Sequence, residues 1–168
     1  MALGRLVSGH PHLLLLQVAN AFFKLPGDYI DTNEDEQAGL HARLQTRLGP
    51  SDVEIVVGQE AQGSRARLGT SDEGHSTPDW HVNSLLSQWW RPNFEGFMYP
   101  YMPVHVTTPK EVKSIFLVDL PEHAIFHVPK NMKLVALPLF ELYDNAIRYG
   151  PTLAAVPHLL SKYTMTMT

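Results

Sequence analysis

Residues Phe22–Gly49, FFKLPGDYIDTNEDEQAGLHARLQTRLG, read as a strand end, a tight turn and a helix that runs from acidic to basic. Pro26-Gly27 sets the turn, and Asn33 with Glu36 three residues on predicts a capping box at the helix start. Leu40, Leu44 and Leu48 recur every four residues, so one stripe of the helix faces a core. Acids in the first turn (Glu34, Asp35, Glu36) and bases near the end (Arg43, Arg47) complement the helix dipole, and Gly49-Pro50 stops it.

The spacing within this stretch resembles a Nudix box, whose general pattern is G-x5-E-x7-R-E-U-x-E-E-x-G. With Glu34 as the first glutamate and Gly49 as the closing glycine, the R-E-U-x-E-E places hold Ala42, Arg43, Leu44, Gln45, Thr46 and Arg47. A Nudix hydrolase needs clustered carboxylates on one helical face, because a hard cation such as Mg²⁺ demands oxygen ligands to polarise the pyrophosphate and activate water. Here the face presents Thr46 and two guanidinium groups that would repel a cation. Asp31, Glu34, Asp35 and Glu36 read as a capped, solvated helix start, with a metal site as the alternative. Arg43 and Arg47 read as an exposed charged face, with phosphate binding as the alternative.

Outside this stretch the composition is that of a globular chain. With 168 residues, 44% of them hydrophobic, a single domain with a real core is expected. No cysteine is present, which removes disulfides, thiolate metal sites and cysteine nucleophiles. A net charge of −4 lacks the footprint of a non-specific nucleic-acid binder, so any nucleic acid must be read locally. No apolar run approaches a membrane span, Leu13–Leu16 is too short for a signal peptide, and a soluble intracellular protein is expected.

Before the helix, HPHLLLLQV (residues 10–18) is a continuous apolar run that suits a buried central strand. Met1–Gly9 are too few to supply the strand and helix such a strand needs as neighbours, so either an N-terminal truncation or a missing part supplied otherwise is expected. After the helix, Ser51–Val57 predicts a short strand. Within Pro50–Asp79, the run from Gly58 is Gly- and Ser-rich with almost no large apolar residue, so the segment reads as a flexible surface insertion. Arg65 and Arg67 in it invite an RNA contact or a solvated loop.

From Asp79 to Val112 come three tryptophans and Phe94, Phe97, Tyr99 and Tyr101, broken by Pro92, Pro100 and Pro103. Prolines force an extended path and the rings need burial, which predicts a loop pinned to the core. Tyr99 and Tyr101 alternate, so both rings lie on one side, and a partner-binding or stacking surface is the second reading. Ser114–Leu120 and Ala124–Val128 read as a hairpin through Pro121-Glu122-His123, and Lys133–Leu137 as a further strand. Residues 150–163 read as helical from Pro151, with Pro157 marking a kink or restart. His123 and His127 flank a strand and do not converge, and no zinc spacing, HExxH, GxGxxG or Walker-type loop is present.

HPHLLLLQ, FFKLPG, WWRPNFE, VPKN, KLVA, PLFELYDN and YGP together make the chain similar, apart from 50–79, to the small Nudix-fold subunit of pre-mRNA cleavage factor Im, the cleavage and polyadenylation specificity factor subunit 5 family. The resemblance implies an α/β Nudix-fold α/β/α sandwich with a mixed central sheet, without hydrolase activity, catalytic residues, metal or cofactor. It implies a nuclear homodimer that binds the UGUA element of single-stranded pre-mRNA and recruits a larger subunit carrying an RNA-recognition motif, alongside factors such as poly(A) polymerase. Phe22 matches a phenylalanine that stacks on a base, Phe23, Lys24 and Leu25 help shape the pocket, and Tyr149 lines it. Trp89, Trp90, Tyr99 and Tyr101 fall in the region that meets the larger subunit. The family reads RNA partly through an arginine and glutamates before the first core strand, positions this sequence does not contain, and the second glycine of its turn is Asp28 here. A scaffold of the same complex that does not bind RNA and a residual pyrophosphohydrolase are the alternatives.

Overall fold

The computed structural model describes residues 2–7, 10–49, 64–68, 80–120 and 124–164. Its centre is β2 (His10–Val18), whose four consecutive leucines are all buried because alternate side chains enter two different cores. Leu13 and Leu15 pack with Leu142, Leu153, Val156 and Leu160, whereas Leu14 and Leu16 pack with Leu40, Leu44 and Leu48. A strand buried on both faces has no polar side to show, which is why the run is unbroken.

The six-stranded sheet runs β3 (Phe22–Lys24), β2, β1 (Ala2–Val7), β6 (Glu111–Asp119) and β5 (His81–Arg91), with β8 (Met132–Pro138) on the other edge of β2. The β1–β6 pair is parallel and the other pairs are antiparallel, so the sheet is mixed as expected. One face carries α1 (Glu36–Leu48); the other carries the short helices α2 (Leu139–Leu142), α3 (Ala146–Tyr149), α4 (Pro151–Ala154) and α5 (Val156–Leu160). The result is the expected α/β/α sandwich. Pro151 opens α4 and Pro157 lies in the first turn of α5, so the closing helix restarts. Among the described residues no helix is long and apolar enough to cross a membrane.

Three expectations are corrected. β2 does have a neighbour before it: β1 pairs antiparallel along its first half, with Ala2 opposite Leu14. Within 50–79, β4 (Ser64–Leu68) pairs antiparallel with β7 (Ala124–Val128) in a second, two-stranded sheet. That pairing also undoes the β6–β7 hairpin, since β7 takes its ladder from β4. The helix cap is Asp35, not Asn33: Asp35 has extended backbone angles and its carboxylate accepts from the N–H of Ala38 at 2.8 Å. The predicted strand Ser51–Val57 and the Pro121-Glu122-His123 turn lie outside the described residues.

Candidate nucleic-acid interface

β3 leaves β2 through a turn in which Ala19 and Asn20 have positive φ, the pattern that matches strand twist in a tight hairpin. The register sets Val18 opposite Phe22, Gln17 opposite Phe23 and Leu16 opposite Lys24. Cross-strand partners share a face, so Phe22 and Lys24 lie on the α1 side with Leu16, and Phe23 lies on the side of Leu13 and Leu15. Phe23 and Leu25 pack against that second core, and the Phe23 and Tyr149 rings meet at 5.0 Å. Phe22 finds no such partner and is 64% exposed.

Tyr149 is 6% exposed. Its hydroxyl donates to Oε1 of Glu141 at 2.5 Å, and Arg148, also bonded to Glu141, lies 5.2 Å over the ring. Burial, then the bond to Glu141 and its charge, pushes the Tyr149 phenol up to about 12. With Phe23 and Arg148 against it, Tyr149 forms a wall and offers no free ring face. The sequence named Phe22 and Tyr149 as companions, but they lie on opposite faces of the sheet; Phe23 is the residue that joins Tyr149. Glu141, which fixes Tyr149, was not foreseen, although PLFELYDN placed it eight residues away.

Past β3 the chain turns at Gly27, whose φ of +151° is open to glycine and little else. Beyond it a cleft of about 70 Å³ is lined by Lys24, Asp28 and Arg47 over Leu16, Leu48 and Met132. Asp28 pairs with Arg47. The N–H of Tyr29, with help from Arg47 and Lys24, holds the Asp28 carboxyl below its ordinary value. Arg43 bonds Oε2 of Glu34 at 3.0 Å and the carbonyl of Tyr29 at 3.2 Å. Asp35 is occupied as the cap, and Glu36 accepts from Ser114 at 3.3 Å. Glu34, Asp35 and Glu36 are therefore engaged in structure, and no three metal-ligating side chains come together among the described residues.

The aromatic stretch divides at Pro92. Residues 81–91 are not a loop but β5, paired with β6, and Trp89 is 7% exposed within the core. Trp89 is thus removed from the partner-binding set, because alternation along β5 turns its indole inward. Trp90 is half-buried and exchanges backbone hydrogen bonds with Tyr99 at 2.8 Å. Trp80, fully buried, donates to Gln45 at 3.1 Å and packs on Phe126 beneath α1. Only the following loop shows rings: Phe94, Phe97 and Tyr101 are exposed, and Tyr99 and Tyr101 stand 5.7 Å apart over a cleft of about 240 Å³ that includes Pro92, Glu95 and His105.

A family model described as a NUDIX nucleotide hydrolase matches residues 6–163. The chain is 44% identical over 158 residues to a protein of Arabidopsis thaliana named pre-mRNA cleavage factor Im 25 kDa subunit 2, covering 94% of this chain and 68% of that relative. It is 40% identical over 156 residues to the cleavage and polyadenylation specificity factor subunit 5 of Dictyostelium discoideum, covering 93% of this chain and 68% of the relative. A second Arabidopsis thaliana protein, named pre-mRNA cleavage factor Im 25 kDa subunit 1, is 40% identical over 158 residues, with 94% of this chain and 62% of the relative covered.

Proposed function

Because the chain belongs to the Nudix family, and within it to that of the small subunit of pre-mRNA cleavage factor Im, we propose that it is a non-catalytic, RNA-binding subunit of the pre-mRNA cleavage and polyadenylation machinery. One observation carries the RNA reading. Phe22 projects a ring 64% exposed from a three-residue strand whose next residue is packed inward, with Lys24 on the same face. An exposed ring beside a cation suits a base and its phosphate, the usual means of holding single-stranded RNA. The ligand proposed is a single-stranded UGUA-type element, with Phe23, Leu25 and Tyr149 backing the strand that presents Phe22.

The non-catalytic part rests on Arg43 and Arg47. Each stands at a glutamate place of the box and pairs with an acid, Glu34 or Asp28, so guanidinium takes the charge that a metal would take. The protein works in the nucleus as a homodimer, meets a larger subunit carrying an RNA-recognition motif, and acts with factors such as poly(A) polymerase. Trp90, Tyr99 and Tyr101 would contribute to the larger contact. The test is fluorescence anisotropy with a UGUA-containing RNA octamer against a scrambled one. Tighter binding of the first supports the reading, and equal or absent binding removes it.

A second reading, a protein scaffold of the same complex without RNA, draws on the exposed rings and the cleft beside Tyr99 and Tyr101. Capture of the larger subunit with no measurable RNA affinity would favour it.

A further inference from the structure

The two arginines at the glutamate places of the box turn towards the loop before α1, and that loop carries a ring that no core residue covers. Arg47 pairs with Asp28, Arg43 donates to the Tyr29 carbonyl at 3.2 Å, and the Tyr29 N–H closes on Oδ1 of Asp28 at 3.0 Å. The loop also lies directly on the helix. A Cβ at Gly39 would come within 2.9 Å of Ile30 and 3.1 Å of Glu34, so only glycine admits the contact. The backbone of Tyr29 is thus fixed from several sides while its ring is 84% exposed. A large ring on a held backbone loses little entropy when a ligand stacks on it.

Its position fits a ligand that continues from Phe22. Tyr29 follows Asp28, which lines the cleft with Lys24 and Arg47, and Phe22 lies on the same strand face as Lys24. Along the chain, Phe22 and Tyr29 thus flank the segment that lines the cleft, and the cleft itself holds the two cations Lys24 and Arg47. Lys24 and Arg47 against Asp28 leave one net positive charge in a chain of net charge −4. Guanidinium has five N–H donors, and Asp28 engages only part of them, so Arg47 keeps donors for a phosphate.

We infer that Tyr29 is a second base-stacking platform, and that Lys24 and Arg47 contact the backbone phosphate between it and Phe22, so that single-stranded RNA runs from Phe22 across the cleft to Tyr29. This rests on the RNA reading above and extends it by a site that the box arginines build.

The experiment measures anisotropy of the full chain with labelled UGUA tetramer and with an octamer that extends it on both sides, at two salt concentrations, with a melting curve for each variant. Tyr29→Ala is expected to weaken octamer binding about ten-fold and leave the tetramer within about two-fold, with unchanged melting. Tyr29→Phe is expected to restore the octamer. Arg47→Gln is expected to lower the salt slope by about one. If Tyr29→Ala binds the octamer as wild type does while Phe22→Ala does not, the inference fails and the RNA reading stands. An equal loss for tetramer and octamer also overturns it, because Tyr29 then supports the Phe22 site. If the wild type binds neither RNA, the inference and the reading fall together.

Discussion

The guanidinium of Arg43 lies 3.0 Å from Oε2 of Glu34, so the carboxylate at the first glutamate place of the box already has a cation against it. Incubation with Mg²⁺ or Mn²⁺ and a panel of dinucleoside polyphosphates and capped RNAs is expected to give no turnover above the buffer blank. Turnover that disappears in Glu34→Gln would show that the carboxylate still recruits a cation. Restoring one carboxylate by Arg43→Glu is not expected to create activity, since it places two acids side by side while Arg47 remains.

Phe22 and Phe23 separate binding from stability. Phe22→Ala is expected to weaken UGUA octamer binding about ten-fold, from the roughly 1–3 kcal/mol that stacking contributes, without moving the melting curve. Phe23→Ala removes a half-buried ring from Tyr149 and is expected to cost about 2 kcal/mol of stability, below the roughly 3–5 kcal/mol of a fully buried phenylalanine. The reverse pattern, with Phe22→Ala destabilised and Phe23→Ala unable to bind, would exchange the two roles.

The cap of α1 gives a prediction independent of RNA. Asp35→Ala leaves the Ala38 N–H without its carboxylate and is expected to cost about 1 kcal/mol in urea unfolding. Asn33→Ala, outside the helix and exposed, is expected to stay within about 0.5 kcal/mol. Equal losses would place the cap where the sequence pattern first put it.

What was legible in the sequence was periodicity and composition. The leucine stripe of α1, the run Leu13–Leu16 and the restart at Pro157 all survive, because each depends on local spacing alone. What was not legible depends on pairing at a distance. β7 lies close behind β6 in the chain, yet its ladder comes from β4, a polar segment whose composition gives no strand signal. The alternation of Phe22 and Phe23 could be read, but which of them faces Tyr149 requires the register of β3 on β2 and the position of α3. Trp89 and Tyr101 look alike as aromatics near prolines; one is on a strand and the other in a loop, and only the first is forced inward. Asp28, Tyr29 and Arg47 hold together through a contact nineteen residues apart, invisible to any short motif.

The aromatic loop is expected to divide in the same way. Tyr99→Ala with Tyr101→Ala is expected to lose co-purification of the proposed larger subunit while the proposed homodimer persists on gel filtration, since truncating a central interface ring often costs about 2 kcal/mol or more. Trp89→Ala is expected to lower stability by roughly 3–5 kcal/mol and to lose partner and RNA together. Unchanged capture in the double tyrosine variant would reduce the loop to packing.

Tyr149 supplies a pH dependence whose sign is fixed by its raised phenol. The folded-state value of about 12 lies above the ordinary 10, so the native state holds this proton more tightly than the unfolded chain does. The stability that burial of the neutral phenol and its bond to Glu141 together contribute is therefore fully present below pH 10 and is lost as pH rises from about 10 to about 12. Melting temperature measured across that window is expected to fall in the wild type by more than in Tyr149→Phe, which keeps the ring against Phe23 and has no phenol to ionise. In a tyrosinate absorbance titration of the six tyrosines, the latest part of the rise is expected to vanish in Tyr149→Phe. Parallel melting profiles for the two proteins from pH 10 to 12 would mean that the hydroxyl is neither buried nor held by Glu141 in solution, and the wall behind Phe23 would lose its anchor.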